Sequence, residues 1–552
     1  MSQHRRRETA QQVGRKRAVV AAAFLGTVAL GTGVGVWASS DGGAGTTDGA
    51  AGRTASGRAP GADAGRAATT PAAPSSSRSY PLSQAPRTIP AVRSHTPARG
   101  PGWKPRPGAR LVVSDPGLAD EGRLTAGELG LTYAGEKDDV RAGDVRLTVG
   151  GSGNPESYTI TVRGGRVDIS GPGEAGVFYG TRTLKQEVRG GGTAPEGVVR
   201  DQPAKPVRGF MLDIARKPFS ASWIEDRIRE LGDLKFNELG LHFSDDQAFR
   251  IESASHPEIV ARDHLTKAQV KRIVDLAGSR HITVVPEIDS PGHLGAVIAA
   301  HPDLQLRNAS GAPTRGAVDI SEDASAELVD DLLDEYAGLF PGSRWHLGGD
   351  EYQALTVKDP QASYPQLAAA ARRAYGSGGT VADLATGWLD DRADTVRAHG
   401  RTARAWNDGF FRTTSVRPAQ DLQVAYWTGK EIGARQPAEY LAAGRKVLNY
   451  NDEFLYYVLG QPQTFVYPTG RRIYEQWNPR VLRGTAAVPA RYDGQILGGS
   501  FAVWCDLAGA QTQGQVAAGI RMPLRATVQK LWDPRRPALS WADFRKLADR
   551  LD

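Results

Sequence analysis

From Pro206 onward, short unbroken apolar runs alternate with longer stretches whose apolar positions recur every three or four residues. The first pattern is that of strands buried on both faces, the second that of amphipathic helices packed against them. Eight strands are predicted: Gly209–Ile214, Glu238–Phe243, Ile282–Ile288, Arg344–Gly348, Ala403–Trp406, Gln423–Trp427, Lys446–Asn449 and Gly498–Trp504. Helices are predicted over Ser222–Leu234 behind a Ser start, Thr266–Ala277, Ser321–Leu339, and Val381–His399 ended by Gly400. Eight such units over about 345 residues fit an α/β chain folded as a (β/α)8 TIM barrel, residues 206–552, with its chemistry at the C-terminal strand ends. An open doubly wound sheet is the alternative, but it would not gather eight strand ends round one cavity.

Upstream the period changes. Tyr158–Val162 and Arg166–Ile169 alternate apolar and polar residues as half-buried strands do, and Ala175–Gln186 carries Val177, Phe178, Thr181 and Leu184 near one helical face. A small α/β domain is therefore expected over residues 109–205. Residues 39–108 are rich in Ala, Gly, Ser, Thr, Pro and Arg without apolar periodicity, which reads as a disordered linker. Before it, Arg5, Arg6, Arg7, Arg15, Lys16 and Arg17 precede an uncharged, mostly apolar segment, Ala18–Ala38. Residues 1–38 thus read as an export signal, or as an uncleaved anchor, since the stretch is also long enough to span a bilayer. Either form places the folded part outside the cytoplasmic membrane, extracellular or attached to the envelope.

Charge sharpens this picture. The net charge of +7 divides into +12 up to Arg110 and −5 over the rest. A nucleic-acid binder needs its basic surface on the folded body, so that class is set aside. A membrane or cell-wall tether through the N-terminal segment is the better expectation. The single cysteine, Cys505, excludes an intramolecular disulfide framework and any multi-cysteine metal site.

The candidate chemistry lies at predicted strand ends. Apolar bodies run into Asp213 and Arg216, Asp245 and Asp246, Glu287 and Asp289, Asp350 and Glu351, and into Trp406, Trp427, Tyr456 and Trp504. Most informative is Trp345–Tyr352, WHLGGDEY, where two glycines precede adjacent carboxylates. Glycine tolerates the dihedrals needed to turn both acids toward one cleft. An ordinary retaining glycosidase holds its two carboxyls about 5–5.5 Å apart on opposite sides of the scissile bond, which neighbours in one strand rarely achieve. One acid can instead protonate a leaving oxygen while its neighbour handles an amide beside the reacting carbon.

WHLGGDEY resembles the catalytic signature of glycoside hydrolase family 20, the β-N-acetylhexosaminidases and their relatives. The likeness extends over nearly all the folded chain, through RGFMLDIARKPF, LHFSDDQAFR, VVPEIDSPGH, AWNDG, AYWTG, LNYNDEFLYY and GGSFAVWCD. It implies hydrolysis in which the substrate's own 2-acetamido oxygen attacks the anomeric carbon and forms an oxazolinium ion. It also implies that Glu351 is the acid and later the base, that Asp350 holds the acetamido N–H, and that Tyr456 donates to the acetamido oxygen. By the same resemblance Trp406, Trp427 and Trp504 line the sugar pocket, Arg216, Gln247 and Asp506 bind substrate, and Asp245 and His293 relay to Glu351. No cofactor and no metal is implied, and the expected partners are N-acetylhexosamine-containing glycans. His242 and His346 read as packed residues rather than metal ligands.

Two departures from the family pattern bear on substrate. Many members have Trp-x-Glu in the last strand where this chain has Trp504-Cys505-Asp506, and an acid two residues past the tyrosine where this chain has Val458. The WNDG, YWTG and NYN runs are most similar to lacto-N-biosidases and poly-N-acetylglucosamine hydrolases. Removal of terminal GlcNAc or GalNAc is the leading expectation and release of a Gal-β-1,3-GlcNAc disaccharide its rival. A non-catalytic glycan-binding protein and a metal-dependent barrel hydrolase are the alternatives from other classes.

Overall fold

The computed structural model describes residues 79–552 except 138, 413 and 431–433. The expected signal segment and most of the expected linker lie outside the described residues. No helix among the described residues is long and apolar enough to cross a membrane.

The linker expected to run to residue 108 ends earlier than its composition suggests. His95–Pro97 pairs antiparallel with Gly197–Asp201, and Trp103 is 2% exposed, its indole N–H donating to the Gly143 carbonyl at 2.8 Å. Proline and arginine hide this strand from a periodicity reading, while one tryptophan and backbone pairing are enough to dock it. The resulting seven-stranded sheet runs His95–Pro97, Gly197–Asp201, Tyr158–Arg163, Arg166–Gly171, Val145–Val149, Arg110–Val113, Thr132–Glu136. Helices Ala119–Leu129 and Glu174–Gly191 pack on this sheet, the longer one burying Val177, Phe178 and Leu184 as its pattern predicts.

The barrel strands are β1 (Val207–Asp213), β2 (Glu238–His242), β3 (Thr283–Glu287), β4 (Arg344–His346), β5 (Thr402–Trp406), β6 (Gln423–Tyr426), β7 (Val447–Asn449) and β8 (Ile496–Trp504). All neighbours are parallel, and β8 pairs with both β7 and β1, closing the barrel and excluding the open sheet. A further short strand, Tyr456–Val458, lies parallel to the end of β8, with Tyr456 opposite Ala502.

The helices start where polar side chains satisfy their first backbone donors. Ser220 accepts from the Trp223 N–H, and Thr266 and Gln269 form a reciprocal capping box. The helix predicted over Ser321–Leu339 is shorter, Asp323–Ala337, because no side chain caps its start and Gly338 ends it. The small domain and barrel share a buried seam. Arg208 of β1 reaches Glu156 at 2.6 Å, and Trp532, at the end of the helix Gln513–Trp532, packs in the small domain's core.

Candidate active site

Strand β4 ends at His346, two residues before its predicted end, because Gly348 and Gly349 turn the chain through positive φ of 64° and 92°. A Cβ on Gly348 would stand 1.8 Å from the Asp289 carboxylate, and the Gly349 N–H donates to that carboxylate at 2.8 Å. Only glycine fits here, and the turn aims the following acids into the barrel mouth. Glu351 itself sits at φ 49°, a strained position for a residue with a side chain, held by its N–H on Asp408 at 2.9 Å.

The twist gives the neighbouring acids different surroundings. Asp350 is recessed, 14% exposed, whereas Glu351 is 45% exposed at the mouth. His293, after β3, stands between them, its Nε2 3.6 Å from Asp350 and 3.4 Å from Glu351. Its Nδ1 faces Asp245 at 3.4 Å. Asp245 also holds His242 at 2.8 Å and Arg216 at 2.6 Å, and Arg216 is gripped a second time by Asp213 at 3.1 Å. A fork held by two buried acids cannot swing, so the arginine presents a fixed edge and stacks 5.2 Å from the Trp504 ring.

Electrostatics follow from this packing. Burial pushes the Asp350 carboxyl well above the usual range, and the Asp289 carboxylate adds to the push. Asp289 is raised to about 6 and Asp408 to about 8, each mainly by burial. Burial alone would discharge His293, but Asp350, Asp245 and Glu351 hold its proton and raise its pKa. The His293 hydrogen bond draws Glu351 below its ordinary value. Burial would raise Asp245, but His242, His293 and Arg216 outweigh it and keep this acid ionised.

A cavity of about 260 Å³ opens over these groups, lined by Arg216, His293, Asp350, Glu351, Trp427, Tyr456, Trp504 and Asp506 among others. Trp427 lies offset and parallel to Tyr456, centroids 5.9 Å apart and planes 5° from parallel, with Phe465 beyond Tyr456 and Trp504 tilted against it. Flat apolar walls around directed polar groups suit a sugar ring, whose C–H faces are apolar and whose rim is polar.

Two residues expected in the pocket stand outside the lining. Trp406 is 1% exposed behind the wall, packed on His346 and Tyr450 with its N–H donated to Glu287 at 2.7 Å. Gln247 is exposed on the tight loop after β2. His242 and His346 are buried around Glu287, as packed residues.

Sequence reasoning passed over Asp408 as a site residue. Asp408 accepts both the Glu351 N–H and the Trp427 indole N–H, each at 2.9 Å, so one carboxylate places the mouth acid and the aromatic wall. Its signal was the acid after Trp406 in the AWNDG run. Asp289, noted only as strand-end punctuation, supports the glycine turn and holds the Asp350 carboxyl toward its protonated form.

Metal-ligating types also meet here. One donor atom each from Asp289, His293 and Asp350 lie within 4.8 Å of one another, as do donors from His242, Glu287 and Asp289. A metal-dependent hydrolase is therefore a reading that chelation can test.

A closed parallel barrel with paired acids, a histidine and an aromatic pocket at its C-terminal mouth has the layout of a barrel enzyme's active site. The family profile described as "Glycosyl hydrolase family 20, catalytic domain" matches residues 206–523, and that of "Glycosyl hydrolase family 20, domain 2" matches residues 85–202. The chain belongs to glycosyl hydrolase family 20. It is 29% identical over 475 residues to the lacto-N-biosidase of Bifidobacterium bifidum, covering 84% of this chain and 41% of that protein. It is 30% identical over 367 residues to a β-N-acetylhexosaminidase of Cellulomonas fimi, covering 61% and 66%. The chain thus spans about two-fifths of the first relative and about two-thirds of the second. The fold is shared with the GH20 β-N-acetylhexosaminidase of Streptomyces coelicolor A3(2), at TM-score 0.67 and 23% identity over 85% of this chain and 96% of that one.

Proposed function

We propose that the protein is an exported retaining glycosidase that removes terminal β-linked N-acetylhexosamine, GlcNAc or GalNAc, by substrate-assisted catalysis. The observation that carries this reading is the inequality of the adjacent acids, one recessed among carboxylates and one at the mouth beside a histidine. Glu351 can reach a leaving oxygen, whereas Asp350 can meet only a group that enters the pocket. An acetamido N–H entering there would give the buried Asp350 carboxylate a donor and favour its ionised form. The acetamido oxygen then attacks the anomeric carbon as Glu351 protonates the leaving oxygen, and Asp350 stabilises the positive charge spreading over the oxazolinium. Water, deprotonated by Glu351, opens that ring and restores the configuration.

In the free enzyme burial and the facing Asp289 carboxylate favour the protonated form of Asp350, while His293 favours the ionised form of Glu351. Substrate reverses this by supplying an N–H to Asp350 and by excluding water around Glu351, so proton placement is part of the binding step. The proton count is unchanged, and no metal is needed to supply the nucleophile. His293, charged beside both acids, is the group that can pass the proton between them.

The decisive comparison uses aryl β-glycosides. Replacing the substrate's 2-acetamido group by hydroxyl should abolish turnover, and hydrolysis at an equal rate would reject the amide as nucleophile. Glu351→Gln should lower kcat on natural glycans by about 10²–10⁴. Full activity after chelation is expected; loss restored by a divalent ion would favour the metal reading. A second substrate reading, release of a Gal-β-1,3-GlcNAc disaccharide, is favoured by Asp506 at the rim and by the relative that covers 84% of the chain. Against it, about 260 Å³ lies at the small end for ligand sites. The ratio of rates on aryl β-GlcNAc and aryl β-lacto-N-bioside separates the two. Export and a membrane or wall tether through the basic, apolar N-terminal segment belong to the same proposal; fractionation of cells expressing the full chain tests them.

A further inference from the structure

Away from the pocket, the chain contains two turns of the same kind, His256-Pro257-Glu258 and His301-Pro302-Asp303. Each histidine precedes a proline that opens a short 3-10 turn, and the two backbones match closely, φ −132° and ψ 66° at His256 against φ −124° and ψ 71° at His301. They come from the excursions after β2 and β3, and they face each other across the Glu258 carboxylate. Glu258 Oε1 is 3.1 Å from His256 Nδ1 and 2.8 Å from His301 Nε2. On the far side of His256, Nε2 is screened from solvent and has no hydrogen bond, with the Asp331 carboxylate 3.4 Å away.

We propose that His256, Glu258 and His301 form a surface site for a zinc-class divalent transition-metal ion, with Asp331 orienting His256 from behind. Two imidazoles and a carboxylate select this class over calcium or magnesium, which prefer oxygen donors. In a tetrahedral site with bonds of 2.0–2.1 Å, neighbouring donor atoms stand about 3.3 Å apart. The two observed separations fall within half an ångström of that, and all three donors lie within 4.8 Å of one another. Small side-chain rotations would admit the ion, and water completes the shell on the exposed side.

The platform beneath is already rigid. Glu335 accepts from the Ser253 hydroxyl and from the N–H groups of Ala254 and Ser255, and the His256 N–H donates to the Ser253 hydroxyl at 3.0 Å. A ligating histidine commonly gives its other nitrogen to a carboxylate, which is where Asp331 stands. The His301 turn ends the helix Gly295–Ala300, which begins two residues after His293. The ion would therefore clamp the segment carrying the pocket histidine to the neighbouring loop. Its role is structural and does not depend on the hydrolase reading.

The test is titration of the chelator-stripped full chain with zinc chloride by calorimetry, together with thermal melts. One site is expected, with a Tm that rises as zinc is added. The His256→Ala/His301→Ala double variant should weaken binding more than about tenfold, and Asp331→Asn by about tenfold or more. Asp350→Asn, which disables one of the two donor groups at the barrel mouth, and Asp289→Asn, which removes the carboxylate common to both, should bind as the wild type does. His301→Gln, which keeps size and polarity, serves should the double variant misfold, as judged by circular dichroism. Absence of a zinc site in the wild type, or zinc held equally by a folded His301→Gln chain and lost from Asp350→Asn or Asp289→Asn, would overturn the assignment.

Discussion

At the scale of the residue, the site turns on how many protons its acids share. Asp289 and Asp350 both lie in the barrel mouth out of water; burial raises both, the Asp289 carboxylate adds to the cost of ionising Asp350, and the hydrogen bond from Asp350 eases the ionisation of Asp289. Asp350 must be ionised to receive a positive charge, so the acid limb of kcat/KM should report the pKa of this coupled pair rather than that of one residue. Asp289→Asn removes the facing charge while its amide oxygen can still accept the Gly349 N–H. The Asp350 pKa should then fall, and the acid limb should move to lower pH. A profile that stays in place would show that Asp289 does not tune Asp350.

At the scale of the element, catalytic placement depends on two loops meeting, one after β4 and one after β5. Asp408→Ala removes the acceptor for both the Glu351 N–H and the Trp427 indole, so the mouth acid and its aromatic wall lose a common anchor. Displacement of a reacting group by about 1 Å costs about 10²-fold, and a kcat fall of that order is expected, with KM changing less. Asp408→Asn keeps one acceptor and should recover part of the loss; equal damage by both variants would point to burial rather than positioning.

The same two loops show what a sequence reveals. All eight barrel strands were legible, because a buried strand is a run of apolar residues and its polar exit is abrupt, and the β4 acids stand at such an exit; Arg216, Trp427, Tyr456 and Trp504 were assigned to the pocket by resemblance, and they line one cavity. Asp408 was not legible, since its role lies in a hydrogen bond to another strand's loop and leaves no periodic trace. Trp406 was placed at the pocket because a tryptophan at a strand end reads alike whether its ring faces inward or outward. Glu287 holds that ring from behind, a contact 119 positions apart in the chain.

At the scale of the whole molecule, the small domain is fastened to the barrel by ionisable groups sealed from water. Lys235, at φ 63°, donates to the Tyr158 hydroxyl at 2.9 Å and to the Thr183 hydroxyl at 2.7 Å, and lies over the Trp532 ring at 4.6 Å. Asp201 accepts from Tyr158 and Trp532, Arg208 lies over the same indole, and Glu187 is buried with one carboxyl oxygen lacking a partner. Burial lowers Lys235 to about 8 and raises Glu187 to about 8, each partly offset by the other's charge.

Glu187 has an ordinary value of 4.5, so between about pH 4.5 and 8 the unfolded chain has lost a proton that the folded chain keeps. Stability from this group is complete below that window and is lost as pH rises through it, with a slope of up to about 1.4 kcal/mol per pH unit. Lys235 is charged in both states across the same window and adds no slope until about pH 8, above which its depressed value reverses the trend. Urea midpoints measured at pH 5 and pH 7.5 should therefore fall more steeply in the wild type than in Glu187→Gln, whose neutral amide has nothing to release. Parallel pH dependence in the two proteins would mean that Glu187 ionises freely in the folded state, and that the seam between the domains admits water.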